Sequence, residues 1–170
     1  MDAFEWWKRV IERTWFLGGV HPSSIEKFID SASEELFEHF SGSSGFSLYE
    51  DTIPTLQELY TNKYKLGIIT NSDNRTKQVV KSFGLDRYFS FIITSESMQL
   101  QKPDPKLYSA AVENKYIPQQ VCHIGDDLFG DYLASSKAGF NSILLDRKRK
   151  ASNFNDAENV VKITSLTELV

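Results

Sequence analysis

The sequence predicts an α/β fold with a parallel sheet, and three observations carry that expectation. Short apolar runs of strand length, several rich in Ile and Val, recur at 66 to 70, 91 to 94, 121 to 125, 143 to 145 and 160 to 164. Helical patterns separate them. The runs are continuously apolar rather than alternating, as expected of strands covered on both faces. A chain of 170 residues that is 41% hydrophobic and 25% charged suits one ordinary globular domain with a real core.

Two helices precede the first strand. Between 3 and 17, Phe4, Trp7, Val10, Ile11 and Trp15 recur every three or four residues, and Gly18-Gly19 ends the pattern. Ser24 is placed to cap the second helix, whose apolar stripe is Ile25, Phe28, Ile29, Ala32, Leu36 and Phe40; the Ser/Gly tract 41 to 45 stops it. At this spacing the aromatic residues read as buried helix faces. Later helices are expected at 54 to 60, at 75 to 83 before Gly84, at 105 to 114, and at 128 to 138 before Gly139. The expected layout is a helical unit, 1 to 45, followed by an α/β unit, 46 to 170.

Composition narrows the function classes. A net charge of -4 argues against a nucleic-acid surface, and the basic run Arg147-Lys148-Arg149-Lys150 reads as a solvated loop. No stretch has the roughly 18 consecutive apolar residues of a membrane span, and residues 1 to 20 lack the order of a signal peptide. The single Cys122, inside an apolar run, reads as a buried, inert thiol, and an intracellular, cytoplasmic setting is expected. No Gly-rich phosphate loop of the nucleotide-binding type is present.

Ligands of open parallel sheets bind beyond the carboxyl ends of the strands, and the residues there are polar. The first strand ends in Thr70-Asn71-Ser72, where a hydroxyl and backbone N–H groups could hold phosphate oxygens near a helix N-terminus. Lys102, in "QLQKPDP", offers a point charge to a phosphoryl group on a loop stiffened by Pro103 and Pro105, with Asp104 as a cap. Asp126, directly after the third run, is a hard oxygen ligand suited to Mg²⁺. Asp131, five residues on, could steady Lys102 or a metal-bound water. Taken singly, Thr70, Asn71 and Asp127 read as turn and cap residues and Lys102 as a surface lysine. Acids beside a buried strand end are costly without a cation partner, so Asp126 with Asp131 weighs more. His123 reads as a core histidine.

In order and strand context, these residues resemble three signature motifs of the haloacid dehalogenase (HAD) superfamily. Thr70, at the end of "KLGIIT", matches the second motif; Lys102, in "QKPDP", the third; and "GDDLFGD", through Asp126 and Asp131, the fourth. The resemblance implies a Rossmannoid, three-layer parallel sheet and Mg²⁺-assisted phosphoryl transfer from a small phosphorylated substrate through an aspartyl-phosphate. It assigns phosphate binding to Thr70, Asn71 and Lys102, the metal to Asp126, and catalytic support to Lys102 and Asp131. Residues 1 to 45 are similar to the later part of the family's helical cap.

The first motif, D-x-D-x-[TV], has no counterpart. Asp2 and Asp30 lie in helical patterns, and Asp51 precedes Thr52-Ile53-Pro54 without a strand before it. The expectation is therefore a fragment, splice form or incomplete gene model that lacks the reacting Asp and its strand, and is inactive as written. A non-catalytic role is the alternative, with a dimer formed through exposed cap helices. The family's sheet places the missing strand between those ending at Thr70 and Gly125. Those two must then pair directly, recruit another segment, or leave two backbone ladders unpaired.

Overall fold

The computed structural model describes residues 2–113, 115–148 and 160–170. The described chain separates into two compact units, one of residues 1–47 with 75–84 and one of residues 48–74 with 85–170.

The first unit is an antiparallel-style helix pair plus one further helix. Helix α1, Ala3–Leu17, starts at Asp2, whose carboxylate accepts from the Glu5 N–H, and stops at Gly18. Helix α2, Pro22–His39, starts earlier than Ser24 would allow. Pro22 at its first position fixes φ for helix entry, and the His21 ring accepts from the Ser23 N–H as the cap. Helix α4, Arg75–Ser82, completes the unit, its Arg75 guanidinium lying 4.0 Å from the Phe37 ring centroid. The expected burial of the aromatic stripes is not met. Helix α1 buries none of its residues and α2 only Ile25, Ile29 and Ser33; of the stripe residues Trp7, Phe28, Leu36 and Phe40 are exposed, and Phe4, Val10, Ile11, Trp15 and Ala32 are half-buried. Two helices share only one interface, so the rest of each stripe has little within this unit to pack against.

The second unit holds the sheets. Helix α3, Thr52–Thr61, leads to strand β1, Leu66–Thr70, which pairs in parallel with β2, Phe89–Thr94. Short helix α5, Ser95–Met98, and helix α6, Pro105–Val112, follow, the latter capped by Asp104. Strand β3, Cys122–Gly125, pairs in parallel with β4, Asn141–Leu145, and β4 with β5, Lys162–Ile163. Among the described residues this gives separate sheets, β1-β2 and β3-β4-β5, with no ladder joining β1 to β3. Among the described residues the facing edges of β1 and β3 are left unpaired. A core of Tyr108, Ala134 and Phe140 ties the sheets together, with Ile69 of β1 and Val121 beside β3 packed against it.

Three expectations change here. The helix foreseen at 128 to 138 opens as a wider π-type turn, Leu128–Leu133, in which Asp127 C=O accepts from both Asp131 and Tyr132 N–H; only Ala134–Lys137 is α-helical (α7). Cys122 is exposed rather than buried, and among the described residues β3 pairs on one edge only, with β4. Arg147 is not solvated. It donates to both oxygens of Asp51, at 2.8 and 3.0 Å, and lies over the Tyr49 ring. Lys148 is exposed as expected, and residues 149 and 150 lie outside the described residues, as does position 114.

Candidate active site

The carboxyl ends of β1 and β3 meet through side chains on the loops that follow them. Asn71, just past β1, clasps the backbone of Lys102: its amide donates to Lys102 C=O at 3.0 Å and its Oδ1 accepts from Lys102 N–H at 2.6 Å. That clasp fixes the loop "QKPDP". Asn71's side chain is therefore spent on positioning, and what it can offer an anion is its backbone N–H. Thr70 ends β1 half-buried, in register with Thr94 of β2.

The clasped lysine reaches the other sheet. Lys102 Nζ donates to Asp131 Oδ1 at 2.5 Å, with both side chains largely buried. An ammonium has three N–H donors, so this contact leaves donors over. His123 Nε2 lies 3.1 Å from the same Asp131 oxygen, and Oδ2 accepts from Asp127 N–H at 3.1 Å. Burial alone would push the Asp131 carboxyl up. Hydrogen bonds from His123 and Lys102, with the Lys102 charge, outweigh it and bring the carboxyl down to about 2.

The local backbone is shaped around that carboxylate. Asp131 is 4% exposed, and a Cβ on Gly125 would lie 2.2 Å from its Cγ, so only glycine leaves it room. The π-type turn swings Asp131 back over β3, and Tyr108 O–H donates to Gly130 C=O to hold the turn from below. Burial, then the Asp131 charge, raises the Tyr108 phenol above its usual range, so it stays a donor. Asp127 is the cap, its Oδ1 accepting from Phe129 and Gly130 N–H at 2.8 and 2.6 Å.

Asp126 is different. It is exposed and makes no hydrogen bond or ion pair among the described residues. With Asp127 committed to capping and Asp131 to Lys102 and His123, Asp126 is the uncommitted carboxylate at this end of the sheets. A hard cation that keeps most of its water asks for one or two such groups, so the donor fits as a single anchor. Among the described residues no three His, Cys, Asp or Glu side chains gather into a metal cluster. Likewise no described helix is long and apolar enough to cross a membrane.

Sequence reasoning missed His123 and Tyr108. His123 and Gly125 are two apart on one strand and so share a face, the face that Asp131 folds over; that period was the available signal.

The family model of haloacid dehalogenase-like hydrolases matches residues 8–145. The chain belongs to the haloacid dehalogenase-like hydrolases. It is 32% identical over 170 residues to haloacid dehalogenase-like hydrolase domain-containing protein 3 of Danio rerio, covering 99% of this chain and 69% of that protein. Among solved structures, this HAD-like chain is similar to a 2-haloacid dehalogenase from Pseudomonas syringae pv. Tomato DC3000, at 26% identity and TM-score 0.71, over 99% of this chain and 70% of that one. It is also similar to a HAD phosphatase from Thermococcus onnurineus, at 28% identity and TM-score 0.68, over 84% and 67%. The chain spans 57% to 69% of the length of the first curated relatives.

Proposed function

We propose that this HAD-like chain carries the phosphate-binding and cation-binding half of a phosphoryl-transfer site for a small phosphorylated substrate, and that as this sequence it binds without turning over. The observation behind the reading is the pairing of a fixed, buried Lys102 ammonium with an uncommitted Asp126 carboxylate at one end of the sheets. The family's solved relatives include both a dehalogenase and a phosphatase by name. A phosphoryl group carries more negative charge than a carbon–halogen centre, and a cation anchor beside a lysine suits it better.

In this reading Lys102 donates to a phosphoryl oxygen while Asp131, His123 and Asn71 hold it in place. Thr70 Oγ1 and the Asn71 backbone N–H donate to other oxygens of the same group. Asp126 would hold Mg²⁺, which when bound neutralises phosphoryl charge. The sequence contains no D-x-D-x-[TV] motif to supply a reacting carboxylate. The proposed layout keeps 1 to 45 as a partial cap and 46 to 170 as the core.

The test is calorimetric titration of the purified chain with inorganic phosphate, with and without Mg²⁺, beside a p-nitrophenyl phosphate assay. We expect Mg²⁺-dependent phosphate binding that Asp126→Asn and Lys102→Met each weaken by about tenfold or more, and no hydrolysis. Hydrolysis that Asp126→Asn abolishes would overturn the inactivity; absence of phosphate binding would overturn the site.

A second reading, a non-catalytic partner that dimerises through its helical unit, is favoured by the exposed Trp6, Trp7 and Phe16 of a helix that buries nothing. Sedimentation of the chain at rising concentration tests it. A strict monomer throughout would exclude it.

A further inference from the structure

His123 stands on β3 in register with Ser142 of β4, and its side chain is only 12% exposed. Its Nε2 lies 3.1 Å from Asp131 Oδ1, the same oxygen that takes the Lys102 Nζ donor at 2.5 Å. The histidine and the lysine therefore share one oxygen, while Oδ2 is occupied by the Asp127 N–H. A carboxylate can only accept, so the imidazole presents an N–H at Nε2 and leaves Nδ1 as the nitrogen that gains or loses a proton. Tyr108 packs edge-on against the ring from α6, with centroids 5.3 Å apart.

The groups that face His123 narrow what can change charge there near neutral pH. Asp131, from the π-type turn, is held down to about 2, and the Tyr108 phenol is held above its usual range. Lys102 meets the histidine through the shared oxygen, Asp127 supports the opposite one, and Lys63 and Lys65 border the cavity that His123 also borders. Of these residue types, an imidazole is the one that ordinarily changes charge between about pH 5 and 8. With the ring neutral, Lys102 and Asp131 cancel each other's charge. With the ring protonated, one carboxylate faces two cations, and a positive charge is left over.

We infer that His123 is a positioning residue whose protonation loosens the hold of Asp131 on Lys102, and so strengthens binding of a dianionic phosphoryl group by the Lys102 ammonium. The inference rests on the phosphoryl-site reading above and adds a direction to it. Affinity rises as pH falls through the imidazole range, and by linkage the bound anion draws a proton onto the ring. A histidine that only filled space beside Tyr108 would give anion binding no such slope.

The probe is sulfate, a dianion throughout this range, because a phosphate group itself takes up a proton near neutral pH. It is titrated by calorimetry into the full 170-residue chain at constant Mg²⁺, at about pH 6 and about pH 8. We expect sulfate to bind about tenfold more tightly at the lower pH, the gain from one added charge nearby. The binding enthalpy should also vary with the buffer as proton uptake requires. In His123→Gln, whose amide keeps an N–H donor for Asp131 but takes up no proton, the affinity ratio and the proton uptake should both vanish, whatever the absolute affinity. Without any anion, Lys102→Met should move the NMR titration of the His123 ring to higher pH, since the competing cation is gone. An affinity ratio that persists in His123→Gln, or a His123 titration that Lys102→Met leaves unmoved, overturns the inference. Sulfate binding that is equal at the two pH values refutes the role of His123 alone and leaves the phosphoryl site standing. Absence of sulfate and phosphate binding at both pH values overturns the phosphoryl-site reading and this inference with it.

Discussion

Gly125→Ala tests how tightly the site is built around Asp131. The added Cβ would lie 2.2 Å from Asp131 Cγ, 2.3 Å from Oδ2 and 2.6 Å from Cβ, all below any real contact distance. The methyl group cannot turn away, so the Asp131 side chain must leave. Leaving breaks its contacts with Lys102, His123 and the Asp127 N–H together. Overpacking of this kind costs about 1 to 3 kcal/mol, and loss of one charged hydrogen bond adds about 1.5 to 3, partly offset by about 0.5 to 1 from the stiffer unfolded chain. A net loss of about 3 kcal/mol is expected. Urea unfolding measures it directly, as a midpoint lower by about 1 to 2 M at an m-value of about 2 kcal/mol/M. The control is Asp131→Gly, which removes the obstructing side chain. In that background Gly125→Ala should cost under about 0.5 kcal/mol, a coupling that a double-mutant cycle reads. A Gly125→Ala loss that stays the same in both backgrounds would refute the packing argument.

Other outcomes follow from the same geometry. The Asp131 carboxyl, held down to about 2 against an ordinary value of 3.8, contributes stability that is complete above about pH 4 and is lost as pH falls through about 2; roughly 2 kcal/mol is at stake, and Asp131→Asn should remove that part of the acid slope in urea unfolding. Asp51→Ala removes the acceptor of Arg147, Ser165 Oγ and Leu166 N–H at once, so a loss of about 2 kcal/mol and faster chymotrypsin cleavage after Leu166 are expected. Asp126→Asn, at an exposed carboxylate without partners among the described residues, should leave the stability unchanged within about 0.5 kcal/mol while weakening Mg²⁺-dependent phosphate binding about tenfold or more.

The strands were legible because their signal is local. "KLGIIT" and the run ending in "CHIG" became β1 and β3 at nearly the foreseen bounds, since β-branched runs closed by polar ends need no distant partner to be recognised. Capping was less legible. Ser24 is an ordinary N-cap type, but Pro22 fixed the helix start three residues earlier and left the role to His21, a residue with no strong prior for it. The aromatic stripes of α1 and α2 show the deeper limit. Periodicity reports that a face can be buried, and it cannot report how much surface the rest of the chain brings to that face.

At the site, a residue type with a single obvious use could be placed, and one with several could not. Asp131 was expected to steady either Lys102 or a metal-bound water, because an acid beside a buried strand end needs a cation partner, and the structure shows its contact with Lys102. His123 carried no such compulsion; it could satisfy itself in many ways, and only the backbone of the π-type turn brings Asp131 to it. Asn71 shows the same ambiguity from the other side. Its amide could have met an anion, yet its two hydrogen bonds to Lys102 position the lysine instead, so the loop's geometry depends on β1 through one side chain. That dependence couples the two sheets at their carboxyl ends even though no backbone ladder joins β1 to β3. The lysine is therefore held between two sheets that share no strand, and its position is only as firm as the Asn71 clasp on one side and the Asp131 carboxylate on the other.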